Sequence, residues 1–448
     1  MLICNGIKIE YSGREQVTPS RCIRILIGFG ILGLFANECA AVQLRFIVPG
    51  SATTESSRYY YNLAREFEQA EADIKIELVS LPAWDKVIDK VQELATHGKQ
   101  ASVFVAEVSQ TRELEKLKLI QPFEDVLAAQ GISLKDFLAP ISGSYLGSSY
   151  CVNGKLCGPP FFRSMQVAYY NLDQLNSAGI ASNELPATWA ELENVLQKLR
   201  RQSGNPPFVL GGDWYDWIFE ATVIQAGGSL MSDKGLNLAS PAAVKALGFW
   251  KRLKDNGLLR RVPVWKDAIT GFTAGRFAVT YYSTGGMEQV RANARFAWMA
   301  DLMPKDVTYG ASLGGGNLYL STNMSPEAQK AAIKFVRFLY QPSIQASTSK
   351  ATGYLPVVEA AYAEPALHER YQHEEPFVRA RKQLRFATTK FMVLDNLKIR
   401  KLLRTAIDEC LESGVPPETA LRRAQQEVEK MDAQSIPAAL NRPASKGH

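Results

Sequence analysis

The stretch Leu44-Arg45-Phe46-Ile47-Val48 is a short apolar run that predicts a buried β-strand near the start of the mature chain. Apolar residues at helical spacing follow in 56–67, and strict apolar–polar alternation follows in 74–79. A second helical spacing fills 84–94, and a short apolar run fills 103–106. Periods of 2 and 3.6 residues are typical of strands and helices, respectively. Alternation of strand and helix indicates an α/β fold with helices against a sheet.

The remainder of the chain continues this pattern. Helices are predicted to start at the capping box Thr188-Trp189-Ala190-Glu191, at Ser240-Pro241 and at Ser325-Pro326. Residues 311–320 are expected to form a glycine-rich turn followed by a strand-like run. Further strands are expected at 167–171, 208–210 and 277–282. The chain from 357 to about 430 is expected to be mainly helical.

Length and composition bound the class of protein. The chain has 448 residues, of which 46% are hydrophobic and 21% charged, so it is expected to form two domains or one large two-lobed body. The formal charge is +6, and no block of Lys and Arg dominates. A nucleic-acid partner is therefore not indicated.

The first 41 residues carry a targeting pattern. Arg21 and Arg24 flank the apolar run 23–35, and Cys39-Ala40-Ala41 offers small residues for cleavage. This arrangement predicts an export signal, and the apolar run is shorter than a membrane-spanning helix requires. A retained signal anchor is the alternative. The mature protein is therefore expected to be exported.

Two cysteines lie on either side of a turn. Cys151 and Cys157 flank Asn153-Gly154, a strong hairpin signal that would set the two side chains opposite each other. In an oxidising compartment they are expected to form a disulfide, with two free thiols as the alternative. Cys410 lies in a helical pattern and is expected in the core.

Two short motifs match enzyme patterns without their structural context. Gly28-Phe-Gly30-Ile-Leu-Gly33 fits a dinucleotide-binding motif, but it lies within the apolar run of the leader with no strand before it. Gly310-Ala-Ser312-Leu-Gly314 fits a nucleophile elbow, but a strand-like run follows it where a helix is required. Neither motif supports catalysis.

The sequence contains no metal-ligand or carboxylate pattern that indicates an enzyme. His368 and His373 are five residues apart, a spacing that does not place two ligands on one helical face. Glu107 and Asp301 have no sequence relation that would make them a glycosidase pair. No metal and no cofactor are therefore expected.

One short connection holds a single aromatic side chain between two predicted helices. In Thr352-Gly353-Tyr354-Leu355-Pro356, Gly353 can end a helix and Pro356 keeps Leu355 extended. Tyr354 is thus held in a stiff joint, as a packing residue or as a ligand contact. Other polar, glycine and aromatic residues at predicted loops or strand ends share this character, and in α/β lobes such positions bind ligands.

The chain resembles the extracellular solute-binding proteins of ABC importers, in the large two-lobed class that includes maltose-binding proteins. Within that class it is similar to the branch that binds sn-glycerol 3-phosphate. The resemblance is carried by 119–126, 167–171, 188–189, 212–217, 314–320, 352–356 and 398–400.

This resemblance implies a set of ligand-binding residues in a cleft between the lobes. They are Trp84, Glu107, Ser164, Trp214, Trp217, Ser283, Thr284, Gly315, Gly316, Tyr354 and Arg400. Arg400 and the amides of Gly315 and Ser283 are expected on the phosphate, and Glu107 and Tyr354 on the hydroxyls. Trp84 replaces a Tyr of the branch, and Arg163 replaces a small polar residue. Arg163 would either favour an anionic ligand or pair with a surface carboxylate.

The resemblance also implies the organisation and function of the chain. The type II fold would have two lobes joined by hinge strands. Its expected segments are a signal peptide at 1–41, an N-terminal lobe at 42–150 and 287–345, a C-terminal lobe at 151–286 and 346–435, and a frayed tail at 436–448. A monomer would capture a small-molecule phosphate ester, either sn-glycerol 3-phosphate or a glycerophosphodiester such as glycerophosphocholine. It would deliver this ligand to the transmembrane permease subunits of an ABC importer. The alternatives are a sugar-binding protein of the same class and a secreted hydrolase of glycerophosphodiesters or glycosides.

Overall fold

The computed structural model describes residues 41–49, 54–233 and 235–431. The predicted export signal, apart from its last residue, the glycine motif at 28–33 and the predicted tail at 436–448 lie outside these ranges.

Strands alternate with helices over most of the described chain. The strands are β1 Val42–Val48, β2 Ile74–Ser80, β3 Val103–Glu107, β4 Ile120–Gln121, β5 Pro160–Ser164, β6 Gln166–Asn171, β7 Phe208–Gly211, β8 Met231–Ser232, β9 Gly235–Leu236, β10 Leu259–Val262, β11 Val279–Ser283, β12 Trp298–Asp301, β13 Ala311–Ser321, β14 Leu355–Pro356 and β15 Ala387–Thr389. The α-helices are α1 Thr54–Ala70, α2 Lys86–Thr96, α3 Thr111–Lys116, α4 Phe123–Ala129, α5 Leu134–Leu138, α6 Leu172–Ser177, α7 Trp189–Ser203, α8 Tyr215–Gln225, α9 Pro241–Asp255, α10 Trp265–Thr273, α11 Met287–Asn293, α12 Pro326–Leu339, α13 Pro342–Thr352, α14 Pro365–His373, α15 Glu375–Lys382, α16 Asn396–Glu412 and α17 Pro417–Lys430. Short 3-10 helices occur at Val108–Gln110, Gly143–Tyr145, Thr284–Gly286, Glu359–Ala363 and Gln383–Phe386.

Two large sheets organise these elements. The first has the order β14-β5-β13-β3-β1-β2, with β4 and β15 also paired to β13. Its strands β1, β2 and β3 are parallel, as the alternation in 44–106 predicts, and β13 runs antiparallel to β3 and β5. The second sheet has the order β10-β7-β11-β6-β12, and β8 pairs with β9 in a small hairpin.

Local capping signals set several helix starts. The Thr188 hydroxyl accepts from the Glu191 N–H, and the Glu191 carboxylate accepts from the Thr188 N–H, which completes the predicted capping box of α7. The hydroxyls of Ser240 and Ser325 cap α9 and α12, each followed by a proline in the first turn. These caps satisfy N–H groups that the helices leave without partners.

The predicted glycine-rich turn at 311–320 is wrong, because this segment is the continuous buried strand β13. Its glycines provide space and not a reversal of the chain. A Cβ on Gly314 would lie 2.7 Å from the Trp217 ring, and one on Gly316 would lie 3.0 Å from the Trp84 ring. Side chains from both sides of the strand therefore require glycine there.

The chain passes between the two sheets several times. A single residue, Met165, separates β5 of the first sheet from β6 of the second. β12 pairs with β6 in the second sheet, although it lies in the range 287–345 that the sequence assigned to the N-terminal lobe. Likewise β5 and β14 pair in the first sheet although they lie in the ranges assigned to the C-terminal lobe. The chain therefore alternates between the two sheets more often than the expected lobe ranges imply.

Each sheet packs against a large hydrophobic core, and a further core takes residues from both sheets. Phe46, Phe67 and Phe335 belong to the core of the first sheet, and Leu210, Phe219 and Trp250 belong to the core of the second. The second core also takes up Cys410, the buried free thiol of α16. Within the described residues, no helix is long and apolar enough to cross a membrane.

Candidate functional site

Glu107 lies at the carboxyl end of β3, where the chain leaves the first sheet. Its Oε2 accepts hydrogen bonds from the Ser109 N–H, at 2.9 Å, and from the Ser109 hydroxyl, and its Oε1 accepts from the Nζ of Lys390 at 2.9 Å. Burial raises the pKa of Glu107, but the charges of Lys390 and Arg400 and the Ser109 hydrogen bond outweigh it. The pKa of Glu107 therefore lies below its usual value, and the carboxylate is ionised.

Lys390 is a functional candidate that the sequence did not reveal. It follows β15, and its side chain is 1% exposed. Its Nζ lies 5.1 Å from the ring centroid of Trp214 and 5.7 Å from that of Trp217. Burial lowers the pKa of Lys390, and the charge of Glu107 opposes that shift. The ammonium therefore contacts one carboxylate and two indole rings.

A second buried ion pair joins α8 and α16. Arg400 donates from Nε to Oδ2 of Asp216 at 2.5 Å and from Nη2 to Oδ1 at 3.4 Å. Arg404, one turn later on α16, donates to the same Oδ1 at 3.3 Å. Burial raises the pKa of Asp216, yet the two arginines bring it below its usual value. The Arg400 guanidinium carbon lies 4.1 Å from the Trp214 ring centroid, so this cation shares the ring with Lys390.

Three aromatic rings form a wall at the first sheet. The rings of Tyr354 and Phe162 stack with centroids 4.4 Å apart, and Trp84 meets Tyr354 edge-on at 6.2 Å. Trp84 and Tyr354 are half-buried, whereas Phe162 is buried. Burial raises the pKa of Tyr354 to about 12, so its hydroxyl stays protonated and can donate a hydrogen bond.

Gly353 fixes the position of Tyr354. It ends α13 in the left-handed region with φ +76°, as the sequence predicts, and a Cβ there would lie 2.6 Å from the Gly285 carbonyl oxygen. The joint therefore packs directly on the loop that follows β11. The next residues pair with β5 as β14, which holds the chain extended through Pro356.

Two glycines of β13 lie in a buried stretch between two partner strands. On one side of β13, β15 pairs with 311–313 and β3 pairs with 316–320, so Gly314 and Gly315 lie between these partners. Gly315 has φ +100°, which an L-residue rarely adopts. Ser164 of β5 lies opposite Gly314. Its Oγ is 3.0 Å from the position that a Cβ on Gly314 would occupy.

Hydrogen bonds fix the loop after β11. The Thr284 N–H donates to the Met165 carbonyl oxygen, and the Gly285 N–H donates to the Ser283 hydroxyl. The Thr284 hydroxyl accepts from the Met165 N–H. The Thr284 and Gly285 amides therefore already have acceptors, and the two bonds between Thr284 and Met165 fix the connection between β5 and β6. Ser283 stays half-buried beside Gly285.

Arg163 lies in β5 of the first sheet and points into the protein interior. It is fully buried and donates to the carbonyl oxygens of Tyr145 and Gly316 and to Oδ1 of Asn317 at 2.7, 3.0 and 2.8 Å. The expected pairing with a surface carboxylate is wrong. Burial lowers its pKa to about 10. Arg163 stabilises backbone carbonyls around β5 and β13.

A buried carboxyl connects three crossing segments beside the site. Glu220 on α8 accepts from the Ser312 hydroxyl at 3.0 Å and from the Phe391 N–H at 2.9 Å. Ser312 in turn bonds to both ends of the Gln166 amide. Burial raises the pKa of Glu220 to about 7, against the opposing charge of Lys390. Ser312 is thus a buried strand residue and not the nucleophile of an elbow.

Most of the residues that the resemblance implied lie in one continuous region. Lys390 contacts the rings of Trp214 and Trp217, and Arg400 contacts the ring of Trp214. Trp217 packs on Gly314 of β13. Trp84 packs on Gly316 of the same strand and on Tyr354. Trp217, expected in a loop, lies in the first turn of α8, which also carries Asp216. In the described part of the chain, no group of three or more metal-ligating side chains could hold a metal ion. The region therefore combines paired buried charges with aromatic rings.

The model of the family described as bacterial extracellular solute-binding protein matches residues 62–375, more than half of the chain. The chain belongs to this family. The resemblance inferred from the sequence is confirmed, and the solute-binding protein has its relatives among transport proteins and not among enzymes.

Curated relatives of the solute-binding protein cover most of its length. It is 26% identical over 405 residues to the sn-glycerol-3-phosphate-binding periplasmic protein UgpB of Yersinia enterocolitica, covering 84% of this chain and 90% of the relative. It is 28% identical over 374 residues to the protein of the same name from Salmonella typhimurium, covering 79% and 83%. It is therefore a solute-binding component of an ABC importer.

Solved structures establish the fold. UgpB of Mycobacterium tuberculosis in complex with glycerophosphocholine matches with a TM-score of 0.78 at 20% identity, covering 87% of this chain and 98% of that one. Maltose-bound MalE3 of T. maritima matches with a TM-score of 0.75 at 21% identity, covering 88% and 100%. The predicted two-lobed α/β fold of the maltose-binding class is confirmed.

Sequence reasoning missed Lys390 and the partner roles of Asp216 and Glu220. Asp216 stands inside the quoted stretch 212–217, but nothing local indicates that its partner is on α16. Lys390 lies in an irregular segment without periodicity. One signal could have indicated a buried cation. It is the single Lys beside apolar residues in Lys390-Phe391-Met392-Val393.

Proposed function

We propose that this solute-binding protein captures sn-glycerol 3-phosphate or a glycerophosphodiester such as glycerophosphocholine and delivers it to an ABC permease. The observation that carries the proposal is the buried charge cluster of the cleft. Three cations, Lys390, Arg400 and Arg404, face two carboxylates held ionised, Glu107 and Asp216. Glu220 lies beside the same cations and has a pKa of about 7, so below that pH it is largely protonated and the cluster carries an excess of one positive charge. This excess favours an anionic ligand over a neutral sugar.

The phosphate is assigned to Arg400. A guanidinium has five N–H donors, and in the described part of the chain two of them are used, both on Asp216. The remaining three are free to donate to phosphate oxygens in charge-assisted hydrogen bonds. Asp216 holds the guanidinium in place and keeps it charged, because it raises the pKa of Arg400 against the effect of burial.

The glycerol portion is assigned to the opposite wall. Glu107 would accept hydrogen bonds from hydroxyls, and the protonated Tyr354 hydroxyl would donate one. The half-buried rings of Trp84 and Trp214 would pack on the carbon chain. Ser164, Trp217, Ser283, Thr284, Gly315 and Gly316 would complete the cleft. The proposal assigns no covalent chemistry to any of these residues.

Ligand capture would stabilise the closed arrangement of the lobes. Contacts already join them in this structure: the Ser109 hydroxyl donates to Oδ1 of Asn396 at 3.1 Å, and Lys116 lies 3.5 Å from Asp395. A ligand that contacts both Glu107 and Arg400 adds binding energy only when the lobes are closed. The closed monomer, exported through the signal at 1–41 to the periplasm, would then dock on the permease subunits.

Calorimetric titration of the mature chain tests this function. The panel is sn-glycerol 3-phosphate, glycerophosphocholine and maltose, each also incubated with the protein and assayed for breakdown. We expect binding of at least one phosphate ester, no binding of maltose and no breakdown. Binding of maltose alone would replace the proposed ligand with a sugar, and turnover of glycerophosphocholine would identify a hydrolase.

A further inference from the structure

The ammonium of Lys390 occupies a place that is chemically suited to a cationic ligand group. Its Nζ lies 2.9 Å from the Glu107 carboxylate and within 5.1 and 5.7 Å of the ring centroids of Trp214 and Trp217. A carboxylate together with aromatic faces is the combination by which proteins bind quaternary ammonium groups. Here a side chain of the protein itself takes that position.

The backbone and the packing keep Lys390 there. The side chain is 1% exposed, and the N–H of the next residue, Phe391, donates to Glu220 at 2.9 Å. Phe391 itself is buried in the core of the second sheet. Arg400 lies on the Trp214 ring at 4.1 Å, so two protein cations share this indole. A third cation would meet both repulsion and occupied rings.

We propose that Lys390 is a specificity-determining residue that excludes phosphate esters with a cationic headgroup. The site would thereby favour glycerol 3-phosphate, or diesters whose headgroup is uncharged, over glycerophosphocholine. This inference rests on the proposed function, since it selects among the ligands of the same cleft. It makes a definite choice between the two ligand types that the proposed function leaves open.

A headgroup series with the unaltered protein tests the inference directly. The probes are sn-glycerol 3-phosphate, glycerophosphoglycerol with an uncharged headgroup, and glycerophosphocholine with a cationic one. We expect glycerophosphocholine to bind at least about tenfold more weakly than glycerophosphoglycerol, the scale of a lost desolvated cation–π contact. Equal or tighter binding of glycerophosphocholine would overturn the inference.

The variant Lys390→Ala examines the residue itself. Removing the ammonium frees Glu107 and the two indoles, so glycerophosphocholine is expected to gain at least about tenfold relative to glycerophosphoglycerol. The matched control Lys401→Ala removes one exposed positive charge from α16 and should leave this preference unchanged. An unchanged preference in Lys390→Ala would contradict the proposal, and a variant that does not fold leaves the wild-type series to decide.

The two proposals fail in different ways. If none of the three phosphate esters binds, the proposed function fails. If all of them bind with affinities independent of headgroup charge, the proposed function stands and the role of Lys390 is rejected.

Discussion

Arg163 and Arg400 are both buried arginines of this protein, and their partners differ in kind. Arg163 donates to three backbone carbonyls, of Tyr145, Phe162 and Gly316, and to the amide oxygen of Asn317. Arg400 donates to the carboxylate of Asp216 and lies over a half-buried indole. Burial lowers the pKa of Arg163 to about 10, whereas Asp216 raises the pKa of Arg400 above its usual value.

This difference separates a structural cation from a ligand-binding one. Neutral oxygens accept from both Nη groups of Arg163 and thereby join β5, β13 and the 3-10 turn at 143–145, whereas its Nε has no partner among the described residues. A carboxylate on one edge of Arg400 orients the guanidinium and leaves its other donors for an anion. Both arginines are buried, so burial alone does not distinguish their roles. The expectation that Arg163 pairs with a surface carboxylate failed because its partners are neutral oxygens inside the protein.

Loss of the Arg163 guanidinium is expected to give the largest change in stability. Arg163→Met keeps an apolar stem but leaves four buried acceptors without their donor, so the free energy of unfolding should fall by about 4 kcal/mol. Urea unfolding measures this loss. The control Arg337→Met alters an exposed arginine and should change stability little. A loss below about 1 kcal/mol in Arg163→Met would contradict the structural role.

Glu220 offers a test of the charge balance beside Arg400 through pH. Its pKa is about 7 in the folded protein against an ordinary 4.5, so its contribution to stability is complete below pH 4.5 and is lost as pH rises through 7. The loss amounts to at most about 3 kcal/mol. Glu220→Gln should therefore gain stability relative to wild type between pH 5 and pH 8.

Thermal unfolding of wild type and Glu220→Gln at pH 5, 6, 7 and 8 measures this gain. The exposed Glu66→Gln serves as a charge-matched control and should follow the wild type at each pH. A constant difference between Glu220→Gln and wild type across the series would show that Glu220 does not titrate in this range.

The disulfide near the Arg163 network is expected to have a smaller effect. Cys151 and Cys157 are joined by a disulfide with Cα atoms 5.5 Å apart, and the adjoining Ser148 carbonyl accepts from the Asn317 amide. Replacing both cysteines by serine should lower the free energy of unfolding by about 2 kcal/mol, as expected for a short loop, without changing ligand affinity. Reductant should lower wild-type stability to the same level and leave the variant unaffected. A shift in affinity would show that the hydrogen bonds around Arg163 influence ligand binding.

Local patterns were sufficient for part of this structure. The capping box at Thr188, the βαβ start of the first sheet and the glycine end of α13 are each determined by a few neighbouring residues. Contacts that join distant segments had no such signal. Glu107 and Lys390 are 283 residues apart, and the pair exists only because the chain crosses between the sheets. The glycines of β13 were misjudged because the rings that require them, Trp84 and Trp217, lie on other elements.

Site residues followed a similar division. Tyr354, Trp214 and Arg400 entered through the resemblance to a family, since single residues at loop ends are ordinary in any α/β chain. Their surroundings, including Asp216 and Glu220, needed three-dimensional packing to appear.

The central claim, that Arg400 is the ligand-binding arginine, is tested most directly by calorimetric titration of sn-glycerol 3-phosphate into wild type, Arg400→Ala and Arg252→Ala. Arg252→Ala removes a half-exposed arginine on α9 as a charge-matched control. We expect binding to wild type and to the control, and a loss of about 100-fold or more in Arg400→Ala, while urea unfolding shows that this variant remains folded. Binding to Arg400→Ala with wild-type affinity would contradict the account.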